Sequence, residues 1–157
     1  MFEVEHAGPN DDFAAILALL HDSFAYMDGR IDPPSSLGQL SVEDIRRLAT
    51  EQTILLIKGT KLPLACVVLT ERSDSIYLGK LAVAASHRGA GLMRALVETA
   101  HDIAAQRGKP YLELQTRIEL IENHAAFAKM GFVKTDEGRH PGYNRVTEIT
   151  MRKAVSK

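Results

Sequence analysis

Of 157 residues none is tryptophan, one is cysteine, and aromatic residues make up only 6%. The single Cys66 excludes an internal disulfide and any multi-cysteine metal site, and its place inside "LACVVL" marks it as a small core residue. Charge of one sign is also missing. Nineteen Lys and Arg stand against twenty Asp and Glu, for a net charge of -1, so a nucleic-acid partner is not expected. No apolar run approaches the length of a membrane span, and no membrane partner is expected. The start, "MFEVEHAGPNDD", is acidic and lacks a basic-then-apolar signal, which makes the cytoplasm the expected compartment. His6, His21, His87, His101 and His124 fall into no metal-ligand spacing, and no zinc motif or carboxylate pair stands out, so no metal is expected. What remains is an ordinary globular composition, with no repeat or linker, and a length that suits one domain over residues 1–157.

Periodicity supplies the elements. "FEVEH" alternates as a strand does, and "GPNDD" breaks it and offers an N-cap at Asn10 or Asp11. Phe13, Ile16, Leu17, Leu20 and Phe24 keep helical spacing. "MDGRIDPPSSLGQL" is a long loop carrying Asp28, Arg30 and Asp32 and is able to cover a site. Ser41 with Asp44 three residues on predicts a capped second helix. "TILLIK" and "LPLACVVLTE" form a hairpin, and "IYLGKLAVA" is the next strand. A helix follows with Leu92, Leu96, Val97, Ala100, Ile103 and Ala104 on one side, closed by Arg107, Gly108 and Pro110. "YLELQT" returns as a parallel strand, "ENHAAFAKMGF" is a short helix ended by Gly131, and "FVKTD" and "VTEITMR" close the chain. The order β-α-α-β-β-β-α-β-α-β-β implies an α/β protein with a mixed sheet and helices on its faces.

The informative stretch is "HRGAGLMRAL", His87 to Leu96. A helix begins with amides that have no partner inside it and with the positive end of its dipole. Arg88, Gly89, Ala90 and Gly91 precede Leu92, and none has a side-chain acceptor. Open amides beside Arg88 and Arg94 suit a phosphate or pyrophosphate. The alternative is that Ser86 caps the helix and the glycines merely turn the chain. A P-loop is excluded because Leu92 and Met93, not Lys and Ser/Thr, follow Gly91; a dinucleotide fingerprint is excluded because its third glycine position is Arg94.

"LAVAASHRGAGLMRALV" resembles the acetyl-CoA-binding segment of the GNAT acetyltransferase superfamily, whose signature Q/R-x-x-G-x-G/A falls on Arg88, Gly89, Ala90, Gly91, Leu92 and Met93. Met93 departs from the usual Gly or Ala, although its backbone N–H remains. A second segment, "ENHAAFAKMGF", resembles the family's Asn-x-x-x-Tyr-x-x-x-Gly-Phe: Asn123, Gly131 and Phe132 match, and Phe127 stands where Tyr is usual. Asn123 also suits a helix N-cap. The element order agrees with the family from Phe2 to Arg152.

The resemblance implies a GNAT-like mixed, mostly antiparallel sheet of about seven strands with helices on both faces. It implies acetyl-CoA as cosubstrate and an amine, of unknown identity, as acceptor; a non-catalytic acyl-CoA-binding or sensor module is the alternative. The pantetheine arm is expected along Leu81, Ala82 and Val83, with Asn123 and Phe127 nearby. The diphosphate is expected on the amides from Arg88 to Met93 with Arg94 beside them, and His87 near the nucleotide end. An N–H near Leu81 is expected to stabilise the oxyanion. Phe127 has no proton to give the leaving thiolate. His140 and Tyr143 in "RHPGYN", Tyr77, and Glu113 with its same-face neighbour Gln115 are the candidates for acid–base work. A homodimer through an exposed final strand is also expected.

Overall fold

The computed structural model describes residues 2–156. Seven strands form one sheet in the order β1-β2-β3-β4-β5-β7-β6. They are β1 (Glu5–His6), β2 (Thr53–Lys58), β3 (Pro63–Glu71), β4 (Ser75–Val83), β5 (Tyr111–Arg117), β6 (Val133–Gly138) and β7 (Glu148–Ala154). Four helices accompany them: α1 (Phe13–Phe24), α2 (Val42–Glu51), α3 (Leu92–Gln106) and α4 (Ile121–Lys129). Every neighbouring pair is antiparallel except β4 and β5, which flank α3 and run parallel. A mixed, mostly antiparallel sheet was the expected arrangement.

Side chains alternate along each strand, and that alternation divides the core in two. Ile54, Leu56, Cys66, Val68 and Ala82 meet Phe13, Ile16, Leu19 and Leu20 of α1 and Ile45 of α2. Leu55, Ile57, Ala65, Val67 and Leu69 meet α3 on the opposite face, where Leu112, Leu114, Ile149, Met151 and Phe127 of α4 join them. β2 and β3 read as unbroken apolar runs because helices cover both of their faces. Past β4 the cover is one-sided, and the face bearing Tyr111, Glu113, Gln115, Thr150 and Arg152 carries no helix.

Two terminal details differ from expectation. The N-cap of α1 is Asp12, whose carboxylate accepts from Ala15 N–H at 3.0 Å; Asp11 instead turns back to Gly8 N–H and to Lys58, which hold its carboxyl below the usual range. Strand β1 is only Glu5–His6 because the pairing with β2 covers just Glu5↔Leu56 and His6↔Leu55. The Ser41–Asp44 capping box forms as its spacing dictates. The buried residues of α3 are Leu92, Leu96, Val97, Ala100, Ile103 and Ala104, the six that helical spacing places on its inner side.

Candidate active site

β4 and β5 pair only through Ser75↔Tyr111, Ile76↔Leu112 and Tyr77↔Glu113. Beyond that point β4 follows β3 and β5 follows β7, so the sheet parts down its middle. The opening is a cavity of about 330 Å³. Leu78 to Leu81 line it from β4 and Leu114 to Arg117 from β5; Leu120, Asn123 and Phe127 close one end, and the α1–α2 loop supplies Met27, Ile31 and Leu37. Within the cleft β4 bulges. Cys66 pairs with Ala82 and Val68 with Gly79, so Lys80 and Leu81 together oppose Val67, and Lys80 adopts φ 52°. A bulge of this kind turns backbone groups out of the ladder and toward the cleft.

The glycine turn stands at the end of β4. A short 3-10 turn, Ala85–His87, leads into Gly89 at φ 80° and Gly91 at φ 88°, both left-handed. Gly91 is the N-cap of α3 and no side chain caps the helix. Ser86 does not reach it; its hydroxyl bonds to His87 Nδ1 at 2.8 Å. The first bond of the helix is Ala95 N–H to the Gly91 carbonyl at 3.1 Å. Among the described residues, the amides of Gly89, Gly91, Leu92, Met93 and Arg94 meet no protein acceptor. Five such donors at the positive end of a fifteen-residue helix suit an anion. The Met93 side chain is partly buried and packs against the core cluster that includes α3. Arg88 reaches across to the Ser23 carbonyl at 3.4 Å.

The α1–α2 loop is fastened over the opposite wall. Arg117 donates to the carbonyls of Pro33 and Pro34 at 2.5 and 3.4 Å. Arg145 donates to the Asp32 carbonyl at 2.8 Å and lies 3.6 Å from both the Asp32 and the Glu119 carboxylates. Tyr143 donates to Asp32 Oδ1 at 2.6 Å, and this bond holds its phenol above the usual range. Arg30 pairs with Glu122 at 2.7 Å and holds that carboxyl at about 2.

The expected acid–base residues are not brought together. His140 sits on Thr147, with Nδ1 2.5 Å from the hydroxyl, and Tyr143 serves the loop; neither lines the cavity. Glu113 lies where the strands are still paired, on the uncovered face. Arg152 at 3.0 Å, Arg72 at 3.2 Å and Ser75 at 3.3 Å occupy its carboxylate. Tyr77 does line the cavity. Arg72 stacks 4.0 Å over its ring, its hydroxyl reaches Gln115 Oε1 at 3.4 Å, and burial raises its phenol. Asn123 lines the cavity from within the first turn of α4, whose N-cap is Leu120, so Asn123 is not the cap. Phe127 is buried, edge-on to Phe132 with ring centres 5.8 Å apart.

The charged cavity residues Lys80, Arg117 and Glu148 escaped sequence reasoning. Glu148 opens β7 and faces the cleft. Its signal was present in the alternation of Glu148, Thr150 and Arg152 against Ile149 and Met151, a polar face on a strand flanked on both sides. Among the described residues, no group of three or more His, Cys, Asp or Glu is placed to hold a metal, and no helix is long and apolar enough to cross a membrane.

A family model, "Acetyltransferase (GNAT) family", matches residues 14–132, which span the helical cover, the parted strands and the glycine turn. The chain belongs to the GNAT acetyltransferase family. Its fold is shared with a PaiA N-acetyltransferase from Thermoplasma acidophilum solved in complex with coenzyme A, at TM-score 0.82 and 13% identity over 98% of this chain and 99% of that one. The ribosomal-protein-S18-alanine N-acetyltransferase from Escherichia coli matches at TM-score 0.72 and 19% identity over 100% and 96%. An IAA acetyltransferase from Bacillus cereus matches at 0.67 and 18% over 98% and 99%. Among proteins of curated function, none matches this sequence.

Proposed function

We propose that the protein is an acyl-CoA-dependent N-acetyltransferase that moves the acetyl group of acetyl-CoA to a primary amine by direct attack. The observation that carries this reading is the joining of two features: a cleft opening at Tyr77 and Glu113, and the unclaimed amides of Gly89, Gly91, Leu92, Met93 and Arg94 at its end, the Ala90 amide being taken by the His87 carbonyl. The diphosphate rests on those amides with Arg88 and Arg94 beside it. The pantetheine arm lies along β4 as an added strand, bonded to Leu81 and Val83 past Ala82, with Asn123 and Phe127 on its other side. At the bulge a backbone N–H near Leu81 polarises the thioester carbonyl and receives the developing oxyanion.

The amine nitrogen attacks the carbonyl carbon, the tetrahedral intermediate collapses, and the carbon–sulfur bond breaks. A thiol of pKa about 8.5 is a fair leaving group, so Phe127 in place of a phenol does not forbid the step. In this reading His140 and Tyr143 act by fixing the loop that forms the acceptor wall, and Glu113 by holding the paired end of β4 and β5.

Phe127 supports a second reading, a coenzyme-binding module without turnover. The test is to titrate coenzyme A, ATP and NAD calorimetrically and then follow free-thiol release from acetyl-CoA across a panel of amines. Preferential coenzyme A binding with amine-dependent thiol release is the expected result. Binding without release favours the module, and preference for ATP or NAD removes both readings.

A further inference from the structure

Among the described residues, four titratable side chains line the cavity, namely Tyr77, Lys80, Arg117 and Glu148, and of these only Glu148 is anionic. Across β7 its register partner in β5 is Arg117, but that guanidinium is drawn away to the carbonyls of Pro33 and Pro34. Among the described residues the Glu148 side chain has no hydrogen-bond or ion-pair partner, although it is only partly exposed. Its other register partner, in β6, is Gly138. A Cβ there would lie 3.0 Å from Glu148 Oε1 and 3.2 Å from Cγ, so the glycine leaves room for the carboxylate beside it. A half-buried carboxylate with no side-chain partner, facing a cavity whose apolar wall includes Met27, Ile31, Leu37, Leu81 and Leu120, has charge to offer a ligand.

We infer that Glu148 receives the ammonium group of the acceptor, and that the acceptor is a small primary amine with one positive charge on an apolar body. The inference rests on the acetyltransferase reading and goes beyond it by naming the class of acceptor. The charge-assisted bond holds the nitrogen over the cleft while its hydrocarbon part lies against the α1–α2 loop. An alkylammonium has no lone pair, so one N–H proton passes to the carboxylate and on to solvent before attack. The free nitrogen then bonds to the thioester carbon. Its second proton leaves as the carbon–sulfur bond breaks, and the sulfur departs as a thiolate that takes one proton, giving amide and free thiol. Lys80 and Arg117 on the same walls repel an acceptor with a second cationic centre. The loop is tied down by Arg30, Arg117, Tyr143 and Arg145, which leaves a pocket rather than an open groove and disfavours an extended peptide.

The test compares wild type with Glu148→Gln, a substitution of equal shape. 2-Phenylethylamine is the cationic acceptor, and O-benzylhydroxylamine, uncharged at neutral pH, is the matched nucleophile. Thiol release is followed, and amine binding to the coenzyme A complex is measured calorimetrically. Glu148→Gln is expected to lower kcat/KM for 2-phenylethylamine by about tenfold to a hundredfold, the scale of one hydrogen bond to a charge, and to flatten the rising limb of its pH profile. Loss with O-benzylhydroxylamine is expected to be small and coenzyme A affinity unchanged. Gly138→Ala, which crowds the same carboxylate without removing it, is expected to give an intermediate loss. Equal losses for both nucleophiles, no loss for either, a preference of wild type for spermidine or an alanyl peptide, or neither binding nor turnover of 2-phenylethylamine would each overturn the inference. Failure of coenzyme A itself to bind would instead remove the reading beneath it.

Discussion

The phenol of Tyr143 donates to the carboxylate of Asp32 at 2.6 Å, joining residues 111 apart in sequence. The bond ties the β6–β7 loop to the α1–α2 loop, and Arg145 reinforces it through the Asp32 carbonyl. Tyr143→Phe removes one exposed hydrogen bond and is expected to lower Tm only slightly. If the bond shapes the acceptor wall, KM for the amine rises several-fold while kcat stays within a factor of two or so. Equal loss in kcat would instead mark the phenol as part of the chemistry.

Gly91 holds φ 88° with nothing within 4 Å of where a Cβ would stand. Gly91→Ala therefore suffers backbone strain and not a clash, about 1–2 kcal/mol, which lowers Tm by a few degrees in a chain of this size. In the proposed reading the methyl group also stands on the surface that the diphosphate approaches. Coenzyme A affinity is expected to fall by more than the stability change accounts for, as read by calorimetry below the melting range.

Glu113 separates a structural carboxylate from a catalytic one. Removing it leaves Arg72 without its carboxylate and Arg152 with Asp74 alone, the two side chains being 44% and 28% exposed. Breaking a fully buried pair costs about 3–5 kcal/mol, and solvent access to the arginines reduces that here to about 2. Glu113→Ala is expected to melt earlier yet keep wild-type kcat/KM at temperatures where it is folded. Collapse of kcat in a folded variant would return Glu113 to the mechanism.

Phe127 lines the cavity and also packs against Phe132. Phe127→Tyr adds a proton donor to a ring that lines the cavity. If departure of the thiolate limits the rate, kcat is expected to rise a few-fold, and more at low pH, where a protonated leaving group helps most. An unchanged kcat means that thiolate departure needs no acid here.

Burial drives the Cys66 thiol up to about 12. In the unfolded chain it ionises near 9. The neutral thiol is favoured by the fold, so this contribution to stability is complete below about pH 9 and is lost as pH climbs from there toward 12. Iodoacetamide at pH 8 is expected to leave Cys66 unmodified in the native protein and to label it stoichiometrically in denaturant, as seen by mass spectrometry.

How far the chain could be read follows from where the physics is local. Helical spacing located α1 and α3, and the Ser41–Asp44 box located the start of α2, because those signals act within a few residues. The inner side of α3 was legible for the same reason. Asp12 displaced Asp11 as a cap because Lys58, on a distant strand, claims Asp11 at 2.7 Å, and no local pattern reveals that. Asn123 lost its cap role when α4 began at Ile121, two residues earlier. The glycine turn was legible because unfilled amides are a property of the turn itself. Glu148, Tyr143 and Asp32 became meaningful only once the sheet had set which strands neighbour which.

Three cross-strand pairs are all that join the two wings of the sheet along β4 and β5. Beyond them, backbone edges that a complete sheet would have zipped together stand apart. A guest carrying amides of its own can bridge that seam and finish the ladder. A ligand seated there that binds the folded chain alone would raise its stability by mass action, so melting temperature would report on the seam's occupancy.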